Sequence, residues 1–202
     1  MKVDWFAQER KAAASGYPLV CGIDEAGRGP LAGPVYAAAV ILPMDCEIEG
    51  LNDSKKVSEK KREQLFDVIL EKAIAYGIGS ASAEEIDEIN ILQATFLAME
   101  RAVAALQQPA DWALVDGNRM PPLPIPGETV VKGDAQCASI AAASILAKVS
   151  RDRVLRELDQ QYPQYGFAKH KGYGTKAHYE AIKQFGLLPE HRKTFLKNLL
   201  EK

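Results

Sequence analysis

The chain has 202 residues, of which 47% are hydrophobic, and it carries 25 Lys and Arg against 27 Asp and Glu. This length and composition predict one domain, or one domain with a small appendage, built on a real core. The net charge of −2 excludes a uniformly basic nucleic-acid-binding protein. Because no apolar stretch reaches membrane-spanning length and the N-terminus carries charges, we expect a soluble, cytoplasmic protein with no membrane partner.

The charge is distributed unevenly along the chain. Residues 148–202 hold 12 Lys and Arg against 6 Asp and Glu, whereas residues 1–147 hold 13 against 21. A basic C-terminal quarter beside acidic positions is typical of an enzyme that gathers a polyanion and cuts it with metal ions. A solvated helical surface explains the same asymmetry, so charge alone does not decide between the two.

The first half of the chain predicts three strands and two helices. Residues 4–14 are typical of a short amphipathic helix. Residues 18–25 and 35–42 are predicted strands joined by a turn rich in glycine and proline. Ser58 is a good N-cap for a helix that ends near residue 70, and the alternation of residues 74–78 predicts a third strand.

The second half adds two strands and further helices. A capping box at residues 82–85 opens a helical region that extends to about residue 106. Short strands are predicted at 112–115 and 128–132, and a long helix, rich in small residues at its start, at about 135–160. Thr175 caps the next helix, and a last helix closes the chain. Five strands with interspersed helices predict a layered α/β or α+β sheet.

One stretch, residues 21–35, combines an apolar run with adjacent acids and a glycine-dense turn. The run ends at Asp24 and Glu25, and the turn that follows surrounds a single arginine, Arg28. Carboxylates at a strand end suit Mg²⁺ or Mn²⁺, which prefer ionised oxygen ligands. Since neighbouring strand residues face opposite sides, the two acids can share a metal only where the strand ends.

Two further acids follow predicted strands in the same way. Asp116 comes directly after an apolar strand and precedes a glycine, and Asp134 lies between a strand and the long helix. Each has an ordinary structural explanation, as a turn former or a helix N-cap. Taken together with Asp24 and Glu25, however, they predict a four-carboxylate metal cluster at the ends of one sheet.

Asp152 competes with Asp134 for the fourth position. If residues 134–152 are mostly helical, 18 residues at ~1.5 Å rise separate the two acids by ~27 Å. Paired metal ions lie only ~3.5–4 Å apart, so one of the two acids must be elsewhere. We prefer Asp134 because it lies at a strand–helix junction, and we expect Asp152, which is flanked by arginines, to be an ion-pair partner.

Six segments of the sequence resemble bacterial ribonuclease HII, the type 2 ribonucleases H. They occur in the order typical of that family and span about residues 19–175. Together they are highly specific, although the glycine-rich turn alone is a weak signal. The segments are Asp24-Glu-Ala-Gly-Arg-Gly-Pro30, Asp53-Ser-Lys55, Val115-Asp-Gly117, Lys132-Gly-Asp134, Ala142-Ala-Ser-Ile-Leu-Ala-Lys-Val149 and His170-Lys-Gly-Tyr-Gly-Thr175.

The resemblance implies an α/β ribonuclease H-like fold, with a central five-stranded mixed sheet flanked by helices and a small C-terminal helical extension. It implies a single catalytic domain over residues 1–202, in which the basic part from about residue 161 contacts substrate, and we expect a monomer. The implied activity is endonucleolytic hydrolysis of RNA paired with DNA and incision 5′ of single ribonucleotides in duplex DNA. Two Mg²⁺ or Mn²⁺ ions would serve it, leaving 5′-phosphate and 3′-hydroxyl ends. The implied metal ligands are Asp24, Glu25, Asp116 and Asp134.

Such an enzyme must sense a 2′-hydroxyl, the group that separates RNA from DNA. Backbone groups of Gly27, Arg28 and Gly29 are the first candidates, and the ring and hydroxyl of Tyr173 are the second. His170, His178 and His191 are expected at the surface or facing substrate. Weaker candidates for phosphate contacts are Lys55, Ser139, Ser144, Lys148, Lys171 and Arg192.

Two alternatives remain open from the sequence. One is a nuclease or transposase of the same fold that acts on DNA alone. The other is a nucleotide- or phosphate-binding module that uses the turn from Gly27 to Gly33 as its cradle. The turn lacks the Gly-Lys-Ser/Thr ending of a phosphate loop, and neighbouring acids would repel phosphate unless a metal intervened.

Overall fold

A mixed five-stranded sheet forms the centre of the molecule in the computed structural model, which describes residues 4–51 and 57–197. The strand order is β3-β2-β1-β4-β5. The first three strands are antiparallel neighbours, and β4 and β5 run parallel to β1. The strands are β1 (Val20–Ala26), β2 (Val35–Ile41), β3 (Ala75–Ala81), β4 (Trp112–Asp116) and β5 (Gly127–Val130).

Helices cover both faces of the sheet. The long helix α4 packs with α2 on one face, where alanines of α4 meet Val40 and Leu42. Helix α3 covers the other face, against Cys21 and Ile23 of β1. The helices are α1 (Ala7–Ala14), α2 (Glu59–Lys72), α3 (Ala83–Ala104), α4 (Ala138–Gln161), α5 (Phe167–His170) and α6 (Lys176–Phe185).

The small residues of α4 allow the close packing that the sequence predicted. A Cβ placed on Gly22 of β1 would lie 2.2 Å from the backbone nitrogen of Ile140. Helix and strand therefore touch backbone to backbone at this point, and any side chain at Gly22 would force them apart. This contact fixes α4 against β1 immediately before the two acids that end the strand.

Five strands were predicted and five are found, but some boundaries differ. A 3₁₀ turn, Gly133–Ala135, precedes α4, so the helix begins three residues later than predicted. Helix α3 contains a non-helical residue, Asn90 (φ 68°), whose side chain caps the second half of the helix. A 3₁₀ turn, Lys193–Phe195, follows α6, and the end of the chain, where a last helix was predicted, lies outside the described residues.

The C-terminal part packs on the main body through its own apolar cluster. Tyr165 and Phe167 lie at its centre, with Ile182 of α6, and they meet Leu155 of α4 and Leu31 of the β1–β2 connection. The segment after β1 is thereby sandwiched between α4 and the C-terminal helices. No helix in the described ranges is long and apolar enough to cross a membrane.

Candidate active site at the carboxyl edge of the sheet

Three neighbouring parallel strands bring the four predicted acids to one edge of the sheet. Because Ile23 of β1 pairs with Val115 of β4, Asp24 and Asp116 lie next to each other, one residue further along. Asp134 lies in the 3₁₀ turn that follows β5. The N–H of Gly133 donates to Oδ1 of Asp116 at 2.6 Å, which joins this turn to the end of β4.

The two adjacent acids of β1 face different layers. Asp24 lies on the side of α4, in register with Ala38 of β2, which packs in the same cluster as that helix. Glu25 lies on the α3 side, in line with the buried side chains of Cys21 and Ile23. This agrees with the strand alternation noted in the sequence. Because the two side chains face opposite sides, one ion could contact both carboxylates only at the edge of the sheet.

Burial and the repulsion between neighbouring carboxylates disfavour the ionised forms of these acids. Burial raises the pKa of Asp24 well above its ordinary value, and the charges of Glu25 and Asp116 add to the effect. The pKa of Glu25 is also raised by burial, while Arg28 opposes the shift and Asp116 adds to it. Three carboxylates therefore lie close enough to repel one another in a site with little water.

A divalent cation fits this donor set. Carboxylate oxygens are the ligands that hard cations prefer, and a positive ion would offset both the burial and the mutual repulsion. Within residues 4–51 and 57–197, however, no three acidic, histidine or cysteine side chains are already arranged to hold an ion. The structure brings the acids to one edge without forming a ready-made coordination group.

A cleft of about 210 Å³ opens beside Glu25 and Asp116 on the α3 side. Phe96 and Met99 of α3 form its apolar wall, and Asn118 and Arg119, just after β4, form part of its polar wall. Neither Asn118 nor Arg119 was predicted as a site residue from the sequence. Their position two and three residues after a strand-end acid is a signal that could have found them.

Two buried arginines hold the glycine turn that follows β1. The guanidinium of Arg192 donates to the carbonyl oxygens of Gly27 (2.6 Å), Arg28 (2.8 Å) and Gly33 (2.8 and 3.0 Å). The guanidinium of Arg151, in α4, donates to those of Ala32, Pro34 and Lys171. Burial lowers the pKa of Arg192 to about 9, and the charge of Arg151 contributes, so the group remains protonated at neutral pH.

The arginines bind carbonyl oxygens of the turn and leave its backbone amides without an arginine partner. Within the described ranges, the N–H groups of Arg28 and Gly29 donate no hydrogen bond to the protein. Tyr173, with 47% of its surface exposed, lies beside them. A Cβ on Gly29 would lie 3.6 Å from Cε1 of Tyr173, so the structure brings the two predicted 2′-hydroxyl readers together.

The remaining predicted contacts lie in three kinds of environment. Nζ of Lys148 donates to Asp152 at 2.7 Å, which agrees with the expected ion-pair role of that acid. Nζ of Lys171 lies 3.5 Å from Glu59 of α2. Burial raises the pKa of Asp24, and Ser144 of α4 acts in the opposite direction, which places Ser144 near that acid. Lys55 lies outside the described residues.

Two predicted phosphate contacts are corrected by their burial. Ser139 is 1% exposed, and its hydroxyl donates to the carboxylate of Glu9 at 2.7 Å. Arg192 is fully buried, and its guanidinium donates to backbone carbonyls of the turn and lies over the ring of Phe195. His178 and His191 are likewise buried, contrary to the expected surface position, because they pack against Phe167 in the C-terminal cluster.

Comparison with solved structures defines the class of fold. Ribonuclease H2 from Pyrococcus horikoshii OT3 aligns with a TM-score of 0.73 at 30% identity, covering 87% of this chain and 92% of that one. Bst-RNase HIII in complex with Mn²⁺ aligns with a TM-score of 0.68 at 16% identity, covering 91% and 71%. The mixed five-stranded sheet flanked by helices is therefore a ribonuclease H-like fold, which confirms the predicted fold class.

Comparison of sequences narrows this class to one family. The family model of ribonuclease HII matches residues 21–198. Ribonuclease HII of Vibrio campbellii is 63% identical over 180 residues, which cover 89% of this chain and 85% of that protein. The chain belongs to the ribonuclease HII family, which cleaves RNA in RNA/DNA hybrids, and it is a ribonuclease H, a nuclease of the hydrolase class.

Proposed function

We propose that this ribonuclease H incises duplex DNA on the 5′ side of single embedded ribonucleotides, as well as cutting the RNA strand of hybrids, and so removes ribonucleotides from DNA. The observation that carries the proposal is the position of the acid edge, the end of the sheet that holds Asp24, Glu25, Asp116 and Asp134, directly before the glycine turn. In that turn the Arg28 and Gly29 amides donate no hydrogen bond within the described ranges, and Gly29 lies beside Tyr173. Two of the proposed metal ligands, Asp24 and Glu25, are thus only a few residues from the backbone candidates in the Gly27–Gly29 turn.

Asp24, Glu25, Asp116 and Asp134 are the proposed ligands of two divalent cations. The ions, when bound, would activate water as the nucleophile and offset charge on the departing 3′-oxygen. The four carboxylates hold their positions through the strand ends and through hydrogen bonds, such as that from the N–H of Glu25 to Oδ1 of Asp24 at 2.7 Å. The expected products carry 5′-phosphate and 3′-hydroxyl ends.

The turn and Tyr173 are the proposed readers of the ribonucleotide. The amides of Arg28 and Gly29 are donors available to a 2′-hydroxyl oxygen, and the exposed ring of Tyr173 offers a stacking surface for the sugar. Gly27 keeps the turn in place because its φ of +96° and its contact with Arg151 admit no side chain. A ribonucleotide bound here would place its neighbouring phosphate near the acids.

The proposal extends to the domain organisation and to the basic C-terminal part of the chain. Residues 1–202 would form one catalytic domain, working as a monomer in the cytoplasm, and the basic part from about residue 161 would contact substrate. Lys55, Ser144, Lys148 and Lys171 stay candidate phosphate contacts. The excess of Lys and Arg over Asp and Glu in residues 148–202 supports an electrostatic role for this part.

The test is incision of a labelled DNA duplex that contains one ribonucleotide, with Mg²⁺ or Mn²⁺ and after chelation with EDTA. The proposal predicts a metal-dependent nick immediately 5′ of the ribonucleotide, with end-group analysis showing 3′-hydroxyl and 5′-phosphate ends. A 3′-side cut, or cleavage that survives EDTA, would contradict it. Tight ATP binding without nuclease activity would instead favour a nucleotide-binding module.

A further inference from the structure

Three histidines lie together in the C-terminal part, and none of them has a place in the proposed chemistry. His178 and His191 are buried at 0% and 1% exposure, with Nε2 of one 3.1 Å from Nε2 of the other. The ring of His170 stacks on that of His178 with centroids 4.3 Å apart. Buried imidazoles this close must share protons in a defined order, since two donors or two acceptors cannot face each other.

The backbone contacts at the two ends assign that order. The N–H of Leu188 donates to Nδ1 of His191 at 2.9 Å, so the proton of a neutral His191 is on Nε2. It is donated to Nε2 of His178, which leaves the proton of His178 on Nδ1. That Nδ1–H donates to the carbonyl oxygen of Tyr173 at 2.9 Å. The result is a directed relay from Leu188 through two neutral rings to Tyr173.

Both ends of the relay touch the proposed reader. Tyr173 is the exposed aromatic residue beside Gly29. His191 precedes Arg192, whose guanidinium holds the carbonyls of the Gly27–Gly33 turn, and it pairs with Ala32 in a β-bridge. The relay therefore ties the segment that carries the tyrosine to the segment that grips the turn.

We propose that His191 and His178 are positioning residues for substrate recognition: their hydrogen-bond relay fixes the backbone of Tyr173 against the Gly27–Gly33 turn. The inference rests on the proposed function of that turn as a reader. The two histidines then act only through Tyr173. They neither contact the substrate nor transfer a proton to the substrate.

The relay holds only while both rings are neutral. A second proton on His178 would place two N–H groups against each other at 3.1 Å, and one on Nδ1 of His191 would oppose the N–H of Leu188. Burial lowers the pKa of His191 to about 4, and the neighbouring His178 adds to this shift. Burial also lowers the pKa of His178.

The groups that face the pair come from several elements. His170 of α5 stacks on His178, and the ring of Tyr165 lies 5.5 Å from that of His191. The nearby cations, Arg151 and Arg192, direct their guanidinium groups to backbone carbonyls of the turn and of Lys171. The described surroundings thus favour neutral rings, and the relay is expected to open only in acid.

The first test reads the tautomers directly, by ¹⁵N NMR of the histidine side chains at neutral pH. The relay predicts the Nε2–H form for His191 and the Nδ1–H form for His178, each with one proton. Opposite tautomers, or a doubly protonated ring at pH 7, would overturn it. This readout does not depend on cleavage, so it separates failure of the relay from failure of the proposed function.

The second test is a double-mutant cycle on the ribonucleotide-containing duplex. His178→Leu is expected to lower kcat/KM by ~10-fold or more, because misplacing a positioning group has effects of this size. In a Tyr173→Ala background the same change should have less than about a twofold effect, since the group it positions is gone. Equal losses in both backgrounds would mean that His178 does not act through Tyr173.

Three further variants test the relay. His191→Gln keeps an N–H donor toward His178 and should retain activity within about threefold. His191→Leu should resemble His178→Leu. Ile182→Ala, a packing change in the same cluster that leaves the relay intact, controls for general destabilisation and should show additive behaviour with Tyr173→Ala. A loss in His191→Gln as large as in His191→Leu would overturn the donor role.

Discussion

The acid edge and the glycine turn adjoin at the end of β1 but differ in the charge that they bury: the acid edge holds carboxylates, and the turn is held by arginines. At the acid edge, Asp24, Glu25 and Asp116 lie close together, and burial followed by repulsion from neighbouring acids raises the pKa values of Asp24 and Glu25. In the turn, the buried cations are Arg151 and Arg192, and backbone carbonyls satisfy them. The two arginine charges are satisfied within the protein, whereas the acid edge is suited to a partner of positive charge. This difference predicts that the two regions fail in different ways.

The largest expected effect comes from removing a proposed metal ligand. Asp116→Asn should lower cleavage by ~10³-fold or more while leaving hybrid binding largely intact, since it removes charge at the reacting centre only. Single-turnover cleavage and hybrid-binding affinity measured on one preparation check this. Unchanged turnover would rule out the ligand assignment.

Asp134 and Asp152 form a matched pair for the same test. Asp134→Asn should resemble Asp116→Asn. Asp152→Asn should keep the cleavage rate, because its partner Lys148 is partly exposed and can turn to water. We expect it to cost only about 1–3 kcal/mol of stability, as for a lost buried hydrogen bond. Loss of cleavage in Asp152→Asn, with cleavage retained in Asp134→Asn, would identify Asp152 as the fourth metal ligand.

The second effect separates recognition from cutting. Tyr173→Ala should lower kcat/KM on a single-ribonucleotide duplex by about 10- to 100-fold, the range expected for losing a stacked aromatic ring. Tyr173→Phe keeps the ring and isolates the contribution of the hydroxyl. Divalent-metal binding, followed by calorimetry, should be unchanged in both variants, and weakened metal binding would join the two regions that the comparison keeps apart.

A third effect tests the arginine-held turn through a matched pair of glycines. Gly16 and Gly27 have nearly the same φ, +95° and +96°, but a Cβ on Gly16 meets nothing within 4 Å while one on Gly27 would lie 2.0 Å from Nε of Arg151. Gly16→Ala should cost about 1–2 kcal/mol of stability from backbone strain alone. Gly27→Ala should cost about 1–3 kcal/mol more from overpacking, and should also lower cleavage. Equal losses in denaturant unfolding would mean that Arg151 does not fix the turn.

The smallest effect concerns the stability of the metal-free protein. Because the folded pKa of Asp24 is raised, the contribution of this group to stability is present at low pH and is lost as pH rises through the folded pKa. Asp24→Asn should therefore stabilise the EDTA-treated protein at pH 7 by about 1 kcal/mol, and the gain should shrink at pH 5. Thermal unfolding measures both.

Two comparisons control this prediction. Glu128→Gln, which removes an exposed ion pair with Lys11, should change stability by less than about 0.5 kcal/mol. Added Mg²⁺ should raise the unfolding temperature of the unsubstituted protein more than that of Asp24→Asn. A destabilised Asp24→Asn protein at pH 7 would show that the acids are not under electrostatic strain.

Local signals in the sequence predicted most of the fold. Ser58, Ser82 and Thr175 were expected to begin helices, and each side chain accepts a hydrogen bond from the backbone N–H three residues later. The strand-end acids could be predicted because an apolar run that stops at a carboxylate is visible locally. The parallel register of β1 with β4 then brings two of those acids together.

The buried polar groups could not be predicted in the same way. Arg192 was a weaker candidate for a phosphate contact, but the carbonyls that its guanidinium binds belong to residues 159–165 positions away in the chain. Arg151 gave a clearer signal, since it shares an i, i+4 row with the buried residues Ala147 and Leu155. Burial of charge depends on distant carbonyls, which no local pattern reveals.

The central claim is that one segment both cuts and chooses where to cut. The most direct test compares two labelled duplexes that differ by a single 2′-hydroxyl, under single-turnover conditions with Mg²⁺. The account predicts one nick, immediately 5′ of the ribonucleotide, and no cleavage of the all-DNA duplex. Cleavage of both duplexes at similar rates would contradict it and would favour a nuclease that acts on DNA alone.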